Sequence, residues 1–160
     1  MMSSVTNDDE NILLSKAEAL LVLVKASDNR CQGGTYLLRV LSNYAAVGSD
    51  ASSRKIKKIN TRISHKAEVL SKALDFHGFA QNTINEHPEP LEVVWQWIVE
   101  NKTSLTSADI VERVNMHPMV IITRDENQQL DASGFRSSGD PIERFMAAGI
   151  EVLTRSIEAA

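Results

Sequence analysis

Apolar residues recur every three or four positions through most of the chain, the spacing that places them on one face of a helix. Leu13, Ala17, Leu20, Leu21 and Val24 form the first stripe. Asn7 or Asp8 can cap that helix, and Asp9 and Glu10 suit the positive end of its dipole. Ser27-Asp28-Asn29-Arg30 ends it, and Gly33-Gly34 lies in the connection. Leu37, Leu38, Val40, Leu41 and Tyr44 mark a second helix from about Thr35 to Val47, stopped by Gly48. A third stripe (Ile56, Ile59, Ile63, Ala67, Leu70 and Leu74) predicts one long helix from Ser52 to Leu74. Arg54, Lys57, Lys58, Arg62 and His65 fall on its opposite side, with Lys55 and Lys66 flanking the stripe. Three helices joined by short loops predict a bundle-like region over 1–78.

The pattern changes after that. Residues 79–90 read as a linker, because Glu86-His87-Pro88-Glu89-Pro90 cannot continue a helix. Leu91 to Glu100 is a short helix whose Trp95 and Trp97, two residues apart, cannot share a face. Thr106 caps another, with Ala108, Ile110, Val111 and Val114 as its apolar positions. Met119 to Thr123 is the one evident strand, rich in β-branched residues. Thr123 and Glu126 form a capping box that opens a helix ending at Gly134. Asp140, Pro141 and Glu143 start the next helix, and Gly149 divides it from a terminal one at Glu151 to Ala159. No repeat at a fixed period is visible.

The expected fold is mainly α. An N-terminal three-helix bundle-like region (1–78) precedes the linker (79–90) and a smaller α(+β) region (91–160), packed with the first as one domain. A single strand cannot make a sheet. Either a second strand hides in the loops around Gly134 to Ser138, or strand 119–123 pairs with its copy across a dimer.

Composition alters this picture little, and charge alters it more. The 42% hydrophobic and 24% charged residues suit a folded, soluble domain. No apolar run reaches the roughly 18–20 residues of a membrane span, and the acidic start MMSSVTNDDEN is no secretory signal, so a cytoplasmic protein without membrane contact is expected. Cys31, the only cysteine, excludes an intramolecular disulfide and a cysteine-cluster metal site. The net charge of −4 is uneven. Residues 51–85 carry seven Lys/Arg against two Asp/Glu, whereas 86–160 carry six against thirteen. Within 52–66 six cations occur with no acid, many of them in the first turns of the expected helix, where the dipole disfavours them. That misfit points to a partner.

Candidate chemistry is sparse. No nucleotide-binding glycine motif and no His-Glu-x-x-His pair occurs, so no catalytic residue, metal ligand or cofactor is assigned. Thr106 to Val114 resembles the first helix of a helix-turn-helix, but Val120-Ile121-Ile122 prefers a strand where the recognition helix belongs. The expectation is a non-enzymatic protein acting through protein–protein contacts, as a homo-oligomer or on an acidic partner. The alternative is a small nucleic-acid-binding regulator using the basic helix 54–66; an enzyme of unassigned reaction comes third. The candidate contact residues are Arg54, Lys57, Lys58, Arg62, Trp95 and Trp97.

Overall fold

The computed structural model describes residues 7–27 and 34–157. Cys31, Asp28 to Gly33 and the end of the expected terminal helix lie outside the described residues. In chain order the elements begin α1 (Asn7–Ala26), α2 (Gly34–Val47), α3 (Ser53–Ile59), β1 (Arg62–Ser64), α4 (His65–Ala73), α5 (Phe76–Gln81) and β2 (Thr83–Glu86). They continue with α6 (Leu91–Asn101), α7 (Ser107–Met116), β3 (Val120–Thr123), α8 (Arg124–Ala132), α9 (Pro141–Ala147) and β4 (Val152–Thr154). The protein is mainly helical with a small mixed sheet. Among the described residues no helix is long and apolar enough to cross a membrane.

The elements form two compact units that interleave along the chain. The first comprises residues 1–50 and 91–116, the second 51–90 and 117–160. This differs from the expected division at 1–78, 79–90 and 91–160.

Among the described residues the first unit has helices and no strand. α1 packs on α2 and α7, and α2 on α6 and α7. Its core joins Leu13, Ala17, Leu20, Leu21 and Val24 to Leu38, Leu41, Val94, Ile98, Ile110 and Val114. The expected bundle partner, a helix over 52–74, is absent from it; α6 and α7 take that place.

That long helix does not form. Ser52 caps α3, accepting a bond from Lys55 N at 3.2 Å, but the helix stops after seven residues at Asn60. The buried Asn60 side chain donates to Met119 O at 2.9 Å and accepts from Arg62 N at 3.1 Å, which turns the backbone into β1. Ile56, Ile63 and Ala67 are all buried as the stripe predicts, yet they belong to a helix, a strand and a second helix. A three-to-four-residue spacing was satisfied by tertiary pairing instead of one continuous helix.

In the second unit four strands run in the order β2-β3-β1-β4. β1 and β3 are parallel in the centre, paired at Ile63 and Ile121, while β2 lies antiparallel to β3 and β4 antiparallel to β1. Strand 119–123 is therefore bonded on both edges within its own chain, which removes the reason for pairing it across a dimer. The expected linker contains β2, and the expected terminal helix contains β4, where Ser64 meets Val152 and Arg62 meets Thr154. Val120 and Ile122 pack with Leu130, Phe145, Ala148 and Ile150 on one face, and Ile121 with Ile63, Ala67 and Phe79 on the other.

The topology contains a repeat that no fixed period in the sequence announces. β1-α4-α5-β2 and β3-α8-α9-β4 are two β-α-α-β halves, and each gives its last strand to the first strand of the other. Ser64 caps α4 and Thr123 caps α8; Asp75 caps α5 and Asp140 caps α9. The exchange extends to single bonds. His65 N donates to Glu151 O at 2.8 Å, just before β4, and Arg124 N donates to Asn82 O at 3.0 Å, just before β2.

Arg144 ties the second half together. It is fully buried, and its Nε donates to Phe135 O at 2.9 Å. Its Nη1 donates to His87 O and Pro88 O, and its Nη2 to Glu86 Oε1 at 3.0 Å and Arg136 O at 3.3 Å. A guanidinium has five donors, and here each finds an acceptor, the condition for burying such a charge. Burial pushes the Glu86 carboxyl up, against the Arg144 bond and charge that hold it down.

Candidate functional site

Cations gather around α5, the short helix of the first β-α-α-β half. Asp75 starts it, accepting from Gly78 N at 2.8 Å. At its other end the carbonyls are unpaired by the helix itself and carry partial negative charge. Lys57 Nζ reaches across from α3 to donate to Ala80 O at 2.7 Å and Thr83 O at 2.8 Å, and Arg124 Nε donates to Gln81 O. Arg155 crosses behind α3, donating to Lys57 O at 2.6 Å and Asn60 O at 3.0 Å, with its guanidinium 5.6 Å from the Phe79 ring.

The outer part of this cluster is a different surface. Arg54 and Lys58, one helical turn apart on α3, stand 4.8 and 4.7 Å from the centre of the Phe76 ring. Both cations are exposed, as is Lys55, and Phe76 is half-buried. Among the described residues Arg54, Lys55 and Lys58 make no ion pair. The unit has acids available: it carries eleven Asp/Glu against eleven Lys/Arg. The positive third of the sequence is thus balanced in number by the segment it folds with, while these three side chains remain unmatched.

Burial holds the Lys57 ammonium below its usual range, and the nearby positive charges of Arg124 and Arg54 add to the effect. Burial also lowers Arg155, against the opposing charge of Glu68, and lowers Arg62 in β1, whose buried Nε has no hydrogen-bond partner among the described residues.

The six candidate residues thus separate. Arg54 and Lys58 come together on Phe76, as an exposed patch. Lys57 is spent on two backbone carbonyls, and Arg62 is half-buried in the sheet; neither presents its charge as an opposite helix face would. The break at Asn60 also relieves the dipole misfit for Lys57 and Lys58, which now sit in the last turn of α3, where cations are favoured, while Arg54 and Lys55 remain in its first turn. Trp95 and Trp97 belong to the other unit. Trp95 lies so close to Gly34 that a Cβ there would meet its ring at 2.0 Å. Trp97 is half-buried under the Arg113 guanidinium, 4.5 Å from its ring.

Phe76, Arg124 and Arg155 were missed in the sequence. No spacing links them to α3, because the sheet and the α4–α5 turn bring them there. Among the described residues no group of three or more His, Cys, Asp or Glu is placed to hold a metal ion. Glu68, three residues after His65, pairs with Lys72 at 3.4 Å. No family model, curated protein or solved structure matches the chain.

Proposed function

We propose that this chain is a non-enzymatic binding protein that holds an acidic surface of a protein partner through Arg54, Lys55 and Lys58. The observation that carries the reading is that these three exposed cations, two of them on one aromatic ring, make no ion pair with an acid among the described residues. Guanidinium and ammonium groups fixed over a ring lose less freedom on binding a carboxylate than free side chains do. The chain's net charge of −4 repels a long polyanion, so a short acidic segment suits the patch better than a duplex. The first unit of a second copy, with ten Asp/Glu against six Lys/Arg, is one such surface.

The test is fluorescence anisotropy with a labelled Glu/Asp-rich peptide, together with light scattering of the protein alone. Peptide binding should weaken with salt and fall several-fold in the Arg54→Ala, Lys58→Ala double variant, whose circular dichroism stays that of the parent. If self-association is the use, the mass exceeds one chain and drops at high salt. A double variant that binds and assembles like the parent overturns the proposal.

Phe76 favours a second reading. An aromatic ring between cations is also how single-stranded nucleic acid is held. Tighter binding of a single-stranded oligonucleotide than of the peptide at equal salt, with a steep salt slope, would move the function to that class.

A further inference from the structure

We propose that β4 joins two copies of this chain edge to edge, across a two-fold axis at Leu153, so that one sheet runs through both molecules. β2 and β4 are the two edges of the sheet, and they are finished differently.

The β2 edge is covered. Arg124 N donates to Asn82 O, so the main-chain groups of 82 and 84 turn toward β3 and those of 83 and 85 turn away. α3 lies on that outer side. Lys57 Nζ donates to Thr83 O at 2.8 Å, and Asn85 Nδ2 donates to Ser53 O at 3.0 Å.

The β4 edge is open. His65 N donates to Glu151 O and Arg155 N to Thr61 O, both at 2.8 Å, so 151, 153 and 155 face β1. Val152 and Thr154 therefore turn their N–H and C=O groups outward, where none is bonded among the described residues. Both residues are exposed, Val152 by 36%. Residues 151–155 contain neither the proline nor the lysine that commonly blocks such an edge.

The strand is its own complement. With the axis at Leu153, Val152 of each copy lies opposite Thr154 of the other, and the outward groups form four N–H···O bonds. Both of these pairs are β-branched, a favoured combination across strands. The same register sets Glu151 opposite Arg155 of the second copy, on the face that carries Leu153. Arg155 Nε and Nη2 already bond Asn60 O and Lys57 O, and Nη1 is left for that carboxylate. A second copy supplies every one of these matches at once, as an isologous contact requires. None of them involves the Arg54–Lys58 patch, so the two proposals stand or fall separately.

The experiment is sedimentation of the full chain over a range of concentrations at high salt, which silences the patch, with amide hydrogen exchange at each concentration. The mass should rise toward two chains. Exchange at Val152 and Thr154 should slow as the mass rises, while Leu153, bonded to β1 throughout, should not change. Thr154→Pro removes an N–H that nothing within the chain uses, a position where an edge strand tolerates proline. It should weaken association ~10-fold or more, because symmetry removes two bonds per dimer, with circular dichroism unchanged. Val152→Lys, which places a charge on the edge and leaves the backbone alone, should act in the same direction. One chain at every concentration, association undiminished in both variants, or a rising mass with Val152 and Thr154 amides still fast would each overturn the proposal.

Discussion

The two β-α-α-β halves of the sheet unit follow one plan, and one of their differences lies at a single position. α4 and α8 each start at a hydroxyl residue ending a central strand, and each hydroxyl accepts from the N–H three residues on. In α8 that third residue is Glu126, which returns the bond and completes a capping box; in α4 it is Ala67, fully buried in the core. The first half therefore has no carboxylate at the third position of this helix, and Ser64 sends its hydroxyl hydrogen to Glu126 instead. One acid serves two helix starts. The shared cap adds a buried side-chain tie to the strand exchange that already joins the halves. The second half also has a longer loop between its helices, and Arg144 fastens that loop to the end of β2.

Arg144→Ala should have the largest effect. It leaves several buried carbonyls and Glu86 unpaired, at a cost on the order of 3–5 kcal/mol, read by urea denaturation. Glu126→Ala should cost roughly 2–4 kcal/mol, because it strands buried donors and dissolves the capping box. It should also raise hydrogen exchange at the starts of both α4 and α8, although only one of them contains it; exchange confined to α8 would refute the shared cap. Ser64→Ala and Thr123→Ala should each cost about 1 kcal/mol, the usual loss of a cap. The two should differ in coupling: a double-mutant cycle of Ser64→Ala with Glu126→Gln should give a non-additive term of about 0.5 kcal/mol or more.

The smallest effect is that of pH at Lys57. Its folded-state affinity for the proton is reduced, so the unfolded chain binds that proton more tightly. Stability should then rise as pH climbs from the lowered folded value toward the ordinary lysine value of 10.5. The melting-temperature gap between the parent and Lys57→Met should widen from neutral pH into mild alkali.

Much of the helical content was legible in the sequence, because α1 buries the whole stripe its spacing predicts, α2 buries Leu38, Leu41 and Tyr44 of its stripe, and α7 buries Ile110 and Val114. The Thr123–Glu126 box was equally readable, since both of its members are local. What could not be read depends on pairing across the chain. β1, β2 and β4 are three or four residues long, too short for alternation to declare them. Asn60 looked like one more polar position on a helix, and its bond to Met119 O is invisible without the sheet. The site followed the same rule. Arg54 and Lys58 were visible as neighbours on one helix, while Phe76 reached them only through the fold. Glu126 was read as a capping acid, and nothing nearby in sequence revealed Ser64 as its second client.

The crossed strands also impose an order on manufacture. When a ribosome has made residues as far as Glu86, the first half has both its strands but no sheet to join. β1 borders only β3 and β4, and β2 borders only β3. Residues 91–116 are added next, and with them the helical unit has all its parts. The nascent chain can thus finish the helical unit, which it began first, while Ile63 and Ile84 of the interrupting sheet unit wait unpaired for strands not yet translated. A chain truncated within that interval would carry a closed helical unit and an open, adhesive half-sheet.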